Sequence, residues 1–121
     1  MTREEMKART KAYAVRIVKL VQSLPRNREC DVLGSQLLRA GTSVGANYRA
    51  VCRAKSTADF INKLRIVEEE CDESLYWIEV LVELGLAKPH LIARLRKEAD
   101  EIIAIVVSSI KTARRNTNFQ K

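Results

Sequence analysis

Four stretches of this chain carry apolar residues at alternating intervals of four and three, the spacing of a helix laid against a neighbour. In residues 3–24 the row is Met6, Thr10, Tyr13, Ile17, Leu20 and Leu24. In residues 29–54 it is Leu33, Leu37, Ala40, Val44, Asn47 and Val51. In residues 57–84 it is Phe60, Leu64, Val67, Cys71, Ser74, Ile78 and Leu81, widened by Ile61, Leu75 and Val82. In residues 89–112 it is Ile92, Leu95, Ala99, Ile102, Val106 and Ser109, flanked by Ile103, Ile105 and Ile110. No strand-like alternation of useful length interrupts them. Pro25 closes the first stretch, Gly85 closes the third and Pro89 opens the fourth, as helix ends and starts require. Residues 113–121 read as a frayed polar tail.

Four amphipathic helices with short connections predict an all-α fold, an antiparallel up-down-up-down four-helix bundle. At 121 residues the chain reads as a single domain over 1–121. The apolar stripes of the third and fourth helices are wider than one seam needs. That width suits either a broad core face or burial against another subunit. Gly plus Pro make only six residues, which excludes collagen-like and low-complexity classes. No uncharged run approaches the ~20 residues of a membrane-spanning helix. The start, Met-Thr-Arg-Glu-Glu-Met-Lys, leads into an amphipathic pattern rather than a signal-peptide core, so a cytoplasmic protein with no membrane partner is expected.

The second helix is unusual. Gly34, Gly41 and Gly45 lie inside it, each costing about 0.5–1 kcal/mol relative to alanine, and Ala40, Ser43, Ala46 and Ala50 are also small. A helix so poor in bulk lets a neighbour approach closely. Gln36, Arg39, Ser43 and Asn47 share one of its faces, and Asn47 also falls on the apolar seam. Such a row needs hydrogen-bond partners, and the acidic residues of the third helix are the candidates. The row reads as a register-fixing network, or else as a ligand-binding face.

Catalytic and metal-binding readings find little support. Gly41-Thr42-Ser43-Val44-Gly45 matches G-x-S-x-G, but that elbow needs a strand before it, and here it lies within a helix. Glu68, Glu69, Glu70, Asp72 and Glu73 form an acidic cluster without the Glu-x-x-His motif of di-metal bundles, so pairing with basic neighbours is expected, including Arg65 with Glu69. Cys30, Cys52 and Cys71 are widely spaced and His90 is the only histidine, which gives no zinc pattern. The chain is therefore expected not to be an enzyme and to need no metal or cofactor.

Charge is unevenly spread. The net charge is +7, yet residues 57–86 carry eight acidic and only two basic side chains, while every other segment is basic. In an up-down-up-down bundle one end gathers the start of helix one, the second connection and the end of helix four. That end collects Arg3, Lys7, Arg49, Arg53, Lys55, Lys111, Arg114 and Arg115 against Glu4, Glu5 and Asp59. Such convergence is a candidate phosphate-binding surface. Phe119 is the only clear exposed aromatic nearby, so backbone contact is expected over base stacking.

The segments Gly34-Ser-Gln36-Leu-Leu-Arg39-Ala-Gly-Thr-Ser43-Val-Gly45-Ala-Asn47-Tyr48, Asp59-Phe60-Ile-Asn-Lys63-Leu64 and Glu69-Glu70-Cys-Asp-Glu73-Ser-Leu-Tyr-Trp77-Ile-Glu79 carry a family likeness. Together they resemble the small four-helix-bundle proteins encoded in intervening sequences of bacterial 23S ribosomal RNA genes, over about residues 8–112. The resemblance implies a bacterial cytosolic bundle that assembles as a ring-like homopentamer, with no established catalytic activity. A related branch, the accessory variability determinant of diversity-generating retroelements, is a basic pentamer that binds nucleic acid and a reverse transcriptase. The resemblance also implies core and interface roles for Gln36, Arg39, Ser43, Asn47, Lys63, Glu70, Glu73 and Trp77. Where many relatives have an acidic residue after the asparagine, this chain has Arg49 and Ala50, so no role of that carboxylate carries over.

The expected function is a non-enzymatic oligomeric bundle that binds RNA or DNA backbone through its basic end. The alternative is an assembly or scaffold protein whose partner is another protein, with no nucleic-acid role.

Overall fold

The first three helices each begin on a side chain that takes up an open backbone donor, a cap worth about 1 kcal/mol. Thr2 Oγ1 accepts the Glu5 amide at 3.1 Å, Asn27 Oδ1 the Cys30 amide at 2.8 Å, and Ser56 Oγ the Asp59 amide at 3.0 Å. In the computed structural model, which describes the backbone of residues 1–120 and the side chains of residues 1–116, these caps start α1 (Arg3–Gln22), α2 (Arg28–Val51) and α3 (Thr57–Glu83). Gly85 adopts φ +69°, letting its amide reach Val82 O and the Leu86 amide reach Leu81 O, both at 3.0 Å. This left-handed turn ends α3 and folds Leu86 back onto the core. Pro89 opens α4 (Pro89–Gln120).

α4 therefore continues through the segment read as a frayed tail. Lys111-Thr-Ala-Arg-Arg115 contains no glycine or proline and is rich in helix formers. α2 instead ends before residue 54, because the Arg53 and Ala54 amides bond three residues back, to Ala50 O and Val51 O, in a tighter turn.

The helices pack in a ring of four. α1 lies on α2, α2 on α3 and α3 on α4, and the α4–α1 approach is the loosest. The expected seam residues of α1 are all buried, with Leu24 just beyond its end, as are Leu64, Val67, Cys71, Ser74, Ile78 and Leu81 of α3. In α4 the seam is buried except Ser109, whose place is taken by Ile110. Phe60, Ile61, Leu75, Ile103 and Ile105 pack half-buried against this core. Across its middle, Tyr13 Oη and Ser74 Oγ bond at 2.8 Å, and burial pushes the Tyr13 phenol above its ordinary range.

α2 departs from the expected register. Leu37, Val44 and Val51 are buried as the spacing requires, but Gly34, Gly41 and Tyr48 accompany them. Leu33 and Asn47 are only half-buried, so Asn47 is not a core seam residue. The reason is α1: its bulk enters where α2 has none. A methyl on Gly41 would stand 2.8 Å from Ile17 Cγ1 and Cγ2. The helices thus approach through the glycines, which a count of apolar residues passes over.

Where α1 and α4 lie farther apart, an ion cluster spans them. Arg9 Nε donates to Glu98 Oε1 at 2.5 Å, and its Nη2 reaches Glu101. The Glu98 hydrogen bond, with both carboxylate charges, holds the Arg9 guanidinium above its ordinary pKa.

Candidate nucleic-acid interface

One end of the bundle is built by the start of α1, the turn from α2 into α3 and the last described turns of α4. A cleft of about 480 Å³ opens there, lined by Arg3, Val51, Cys52, Ala54, Lys55, Ser56, Thr57, Phe60, Ala113 and Asn116. Three segments distant in sequence thus meet as the topology requires. The lining has two cations and no carboxylate. Asp59 stands at its edge: Asp59 Oδ2 accepts from Lys63 Nζ at 2.7 Å and from the backbone amide of the lining residue Lys55 at 3.1 Å. These contacts, the lysine ammonium first, hold the Asp59 carboxyl below the usual carboxylate range.

The remaining basic residues divide by face. Lys7 and Arg49 line a groove of about 590 Å³ between α1 and α2, together with Lys11, Glu4, Thr42 and the small residues Ala8, Ala14, Gly45 and Ala46. Lys7 also pairs with Glu4 at 3.3 Å. Arg53, Lys111, Arg114 and Arg115 are exposed and line neither cavity. Arg3, Arg49, Arg53, Lys55, Lys111 and Arg115 make no salt bridge among the described residues. Phe119 lies outside the residues whose side chains are described. Phe60, half-buried, lines the cleft, although the spacing had assigned it to the seam.

Sequence reasoning missed two groups. Lys11 follows Lys7 by one helical turn, so its place on the same face of α1 was there to be read. A second basic cavity, about 340 Å³, lies at the opposite end between α1 and α4 and is lined by Arg16, Lys19, His90 and Arg94 over Leu20, Leu91 and Leu95. Positive charge is therefore not confined to one end.

The polar row of α2 joins α3 as expected, but at the surface rather than in the core. Arg39 donates to Gln36 Oε1 at 3.1 Å, to Glu70 Oε2 at 3.4 Å and to Glu73. Glu73 also accepts from Trp77 Nε1 at 3.1 Å, and Trp77 meets Tyr76 edge-on with centroids 5.0 Å apart. Ser43 donates to Arg39 O at 2.6 Å and Asn47 to Ser43 O at 2.8 Å, both within α2. The Arg39 side chain remains 49% exposed. Lys63 stands apart from this row, on Asp59. Arg65 makes no bridge to Glu69 among the described residues; with Glu68, Glu69, Asp72 and Ile103 it lines a shallow cavity. Among the described residues no helix is long and apolar enough to cross a membrane, and no cluster of three or more His, Cys, Asp or Glu could hold a metal ion.

Comparison with known proteins agrees with this architecture. The family model described as 23S rRNA-intervening sequence protein matches residues 4–108. A crystal structure of a protein of unknown function from the S23 ribosomal protein family of Bacteroides thetaiotaomicron superposes with a TM-score of 0.82. It is 38% identical, over 88% of this chain and 98% of that one. No curated protein matches. With the match spanning all four helices and the solved relative sharing the fold, the chain belongs to the 23S rRNA-intervening sequence protein family.

Proposed function

We propose that this chain is a non-enzymatic, cytoplasmic homo-oligomer, a ring-like pentamer, that binds the backbone of RNA or DNA through its basic end. The observation that carries the reading is the end cleft, where Arg3 and Lys55 meet with no carboxylate in the lining. Lys7, paired with Glu4, together with Lys11 and Arg49 carries positive charge into the α1–α2 groove, and Arg53, Lys111, Arg114 and Arg115 are exposed cations on the segments that build this end. Phosphate contact of this kind needs no sequence readout and releases counterions on binding. A ring would bring five such ends into one polyanion-binding surface.

Fluorescence anisotropy with labelled RNA and DNA across a salt series tests the reading. Log affinity is expected to fall linearly with log salt, by about 0.7 for each phosphate neutralised on a single strand. Reversing Arg53, Lys55, Arg114 and Arg115 to Glu should abolish binding while leaving the helical signal intact. Unchanged affinity in that variant would sink the site.

One feature supports the alternative of an assembly protein with a protein partner. α3 leaves Ile66, Tyr76 and Val82 exposed at 42%, 56% and 38%. At about 3.6 residues per turn they face three directions, so each is a separate contact point for a partner or a second copy rather than part of one apolar patch.

A further inference from the structure

We infer that the cleft between Arg3, Lys55 and Phe60 holds one unpaired nucleotide of a single strand, its phosphate against the two cations and its base against the phenyl ring. This rests on the reading that the basic end binds nucleic acid, and it specifies which form of the polymer enters. The cleft, about 480 Å³, is wide open to solvent, so a nucleotide would lie across it rather than be enclosed. Phe60 packs against the core and is still partly exposed, so the part of it that reaches the cleft is held in place. Val51, Cys52 and Ala54 complete an apolar wall, and Ser56, Thr57 and Asn116 supply hydroxyl and amide groups at the rim.

An aromatic platform, two cations and neutral hydrogen-bonding groups form the combination by which proteins take splayed bases from single strands. A paired base cannot enter such a cleft without leaving its stack, which costs a few kcal/mol and favours unpaired strands. The α1–α2 groove has the cations Lys7, Lys11 and Arg49 but no aromatic residue, so it can follow a backbone without engaging a base. The cleft also contains its own reporter. Cys52 lines it and is half-buried, whereas Cys30 and Cys71 are buried.

The test compares a labelled oligouridylate with an RNA duplex of equal length, by anisotropy at one salt concentration. The wild-type protein, Phe60→Leu and the double variant Arg3→Gln/Lys55→Gln are used. Leucine keeps apolar volume against the core and removes the ring, and circular dichroism checks that the helices persist. The wild type should prefer the single strand by about tenfold. Phe60→Leu should lose that preference with duplex affinity unchanged, and the double variant should weaken both. Saturating oligouridylate should slow alkylation of Cys52 several-fold. Equal affinity for strand and duplex, undiminished preference in Phe60→Leu, or unprotected Cys52 in the complex would each overturn the inference. Absence of binding to either polymer at low salt would instead remove the underlying reading that this end binds nucleic acid.

Discussion

Replacing Gly41 by alanine sets two effects of known sign against each other. In an exposed helix interior the change stabilises by about 0.5–1 kcal/mol, because alanine loses less backbone freedom on folding. Here the new methyl would stand 2.8 Å from both Ile17 Cγ1 and Cγ2 and 3.1 Å from Ile17 Cβ, where ordinary contact begins near 3.4 Å. Ile17 is fully buried. It is also β-branched, with essentially one χ1 rotamer available in a helix. The side chain cannot turn aside, so α1 and α2 must separate, and overpacking of this kind costs about 1–3 kcal/mol. The steric effect wins, and Gly41→Ala should destabilise by about 1–2 kcal/mol. Gly34 is the milder case: its nearest neighbour, Cγ1 of Val21, stands at 3.1 Å, and although Val21 is β-branched too, it is only half-buried and needs to give a few tenths of an ångström. Gly34→Ala should be neutral or slightly stabilising. Gly45→Ala falls between, because its contacts at 3.3–3.4 Å are Thr10 Oγ1 and the Thr10 backbone. Urea unfolding of the three variants at one protein concentration measures the order directly. A Gly41→Ala protein as stable as Gly34→Ala would refute the argument that these glycines exist to admit α1.

Three further outcomes follow from the core and its ion pairs. Burial pushes the Cys71 thiol up to about 12, and Tyr13 moves in the same direction, also through burial. Both groups are protonated in the folded state, so their contribution is complete below the unfolded thiol value of about 8.5 and is lost as pH rises towards 12. Urea midpoints should therefore decline above about pH 9, and Cys71→Ala should flatten that decline; a flat wild-type profile would contradict the burial. Arg9→Met, which keeps the aliphatic stem but releases Glu98 and Glu101, should cost about 1 kcal/mol and raise hydrogen exchange in α4 more than in α2. Asn47→Leu should shift stability by less than about 0.5 kcal/mol, since among the described residues Asn47 Nδ2 bonds the Ser43 carbonyl of its own helix and no other helix. A large loss on thermal melting would return Asn47 to the core.

The helical seams of α1, α3 and most of α4 could be read from spacing because large apolar residues mark the buried face of each. α2 could not be read so well: the face that meets α1 is marked by glycine, which has no hydrophobic signal, and so Asn47 took the place that belongs to Tyr48. The convergence of Arg3 and Lys55 was legible, because topology decides which ends meet. Which basic residues share a cavity was not, since that depends on rotation about each helix axis. Arg49 turned with Lys7 and Lys11 towards α1, while Arg53 turned outward. The Arg9 cluster on Glu98 and Glu101 joins residues with no local pattern between them, and the basic cavity of Arg16, Lys19 and Arg94 lay at the end the charge argument left aside.

Opposite charge on separate faces gives the proposed assembly and the proposed polymer binding one shared variable, salt. α3 answers part of its acid within the chain, Glu70 and Glu73 by Arg39 and Glu79 by Arg96 at 3.8 Å. Glu68, Glu69 and Asp72 stand beside Arg65 without a salt bridge among the described residues. Copies that associated by setting this acidic face against a neighbour's basic end would separate as salt rises, because exposed charges are screened over about 8 Å at physiological ionic strength. They would also be driven apart by a nucleic acid, which competes for the same cations. Copies that associate through Ile66, Tyr76 and Val82 bury apolar area, and salt leaves that contact largely untouched. These three side chains point in different directions round α3, so any one contact would use only part of them. A mass that stays constant across a salt series in which strand affinity falls, and does not drop when the strand is added, is the outcome expected of the second arrangement. A mass that falls with affinity would put assembly and binding on the same cations, and the basic end would then be an interface between subunits before it was a site for phosphate.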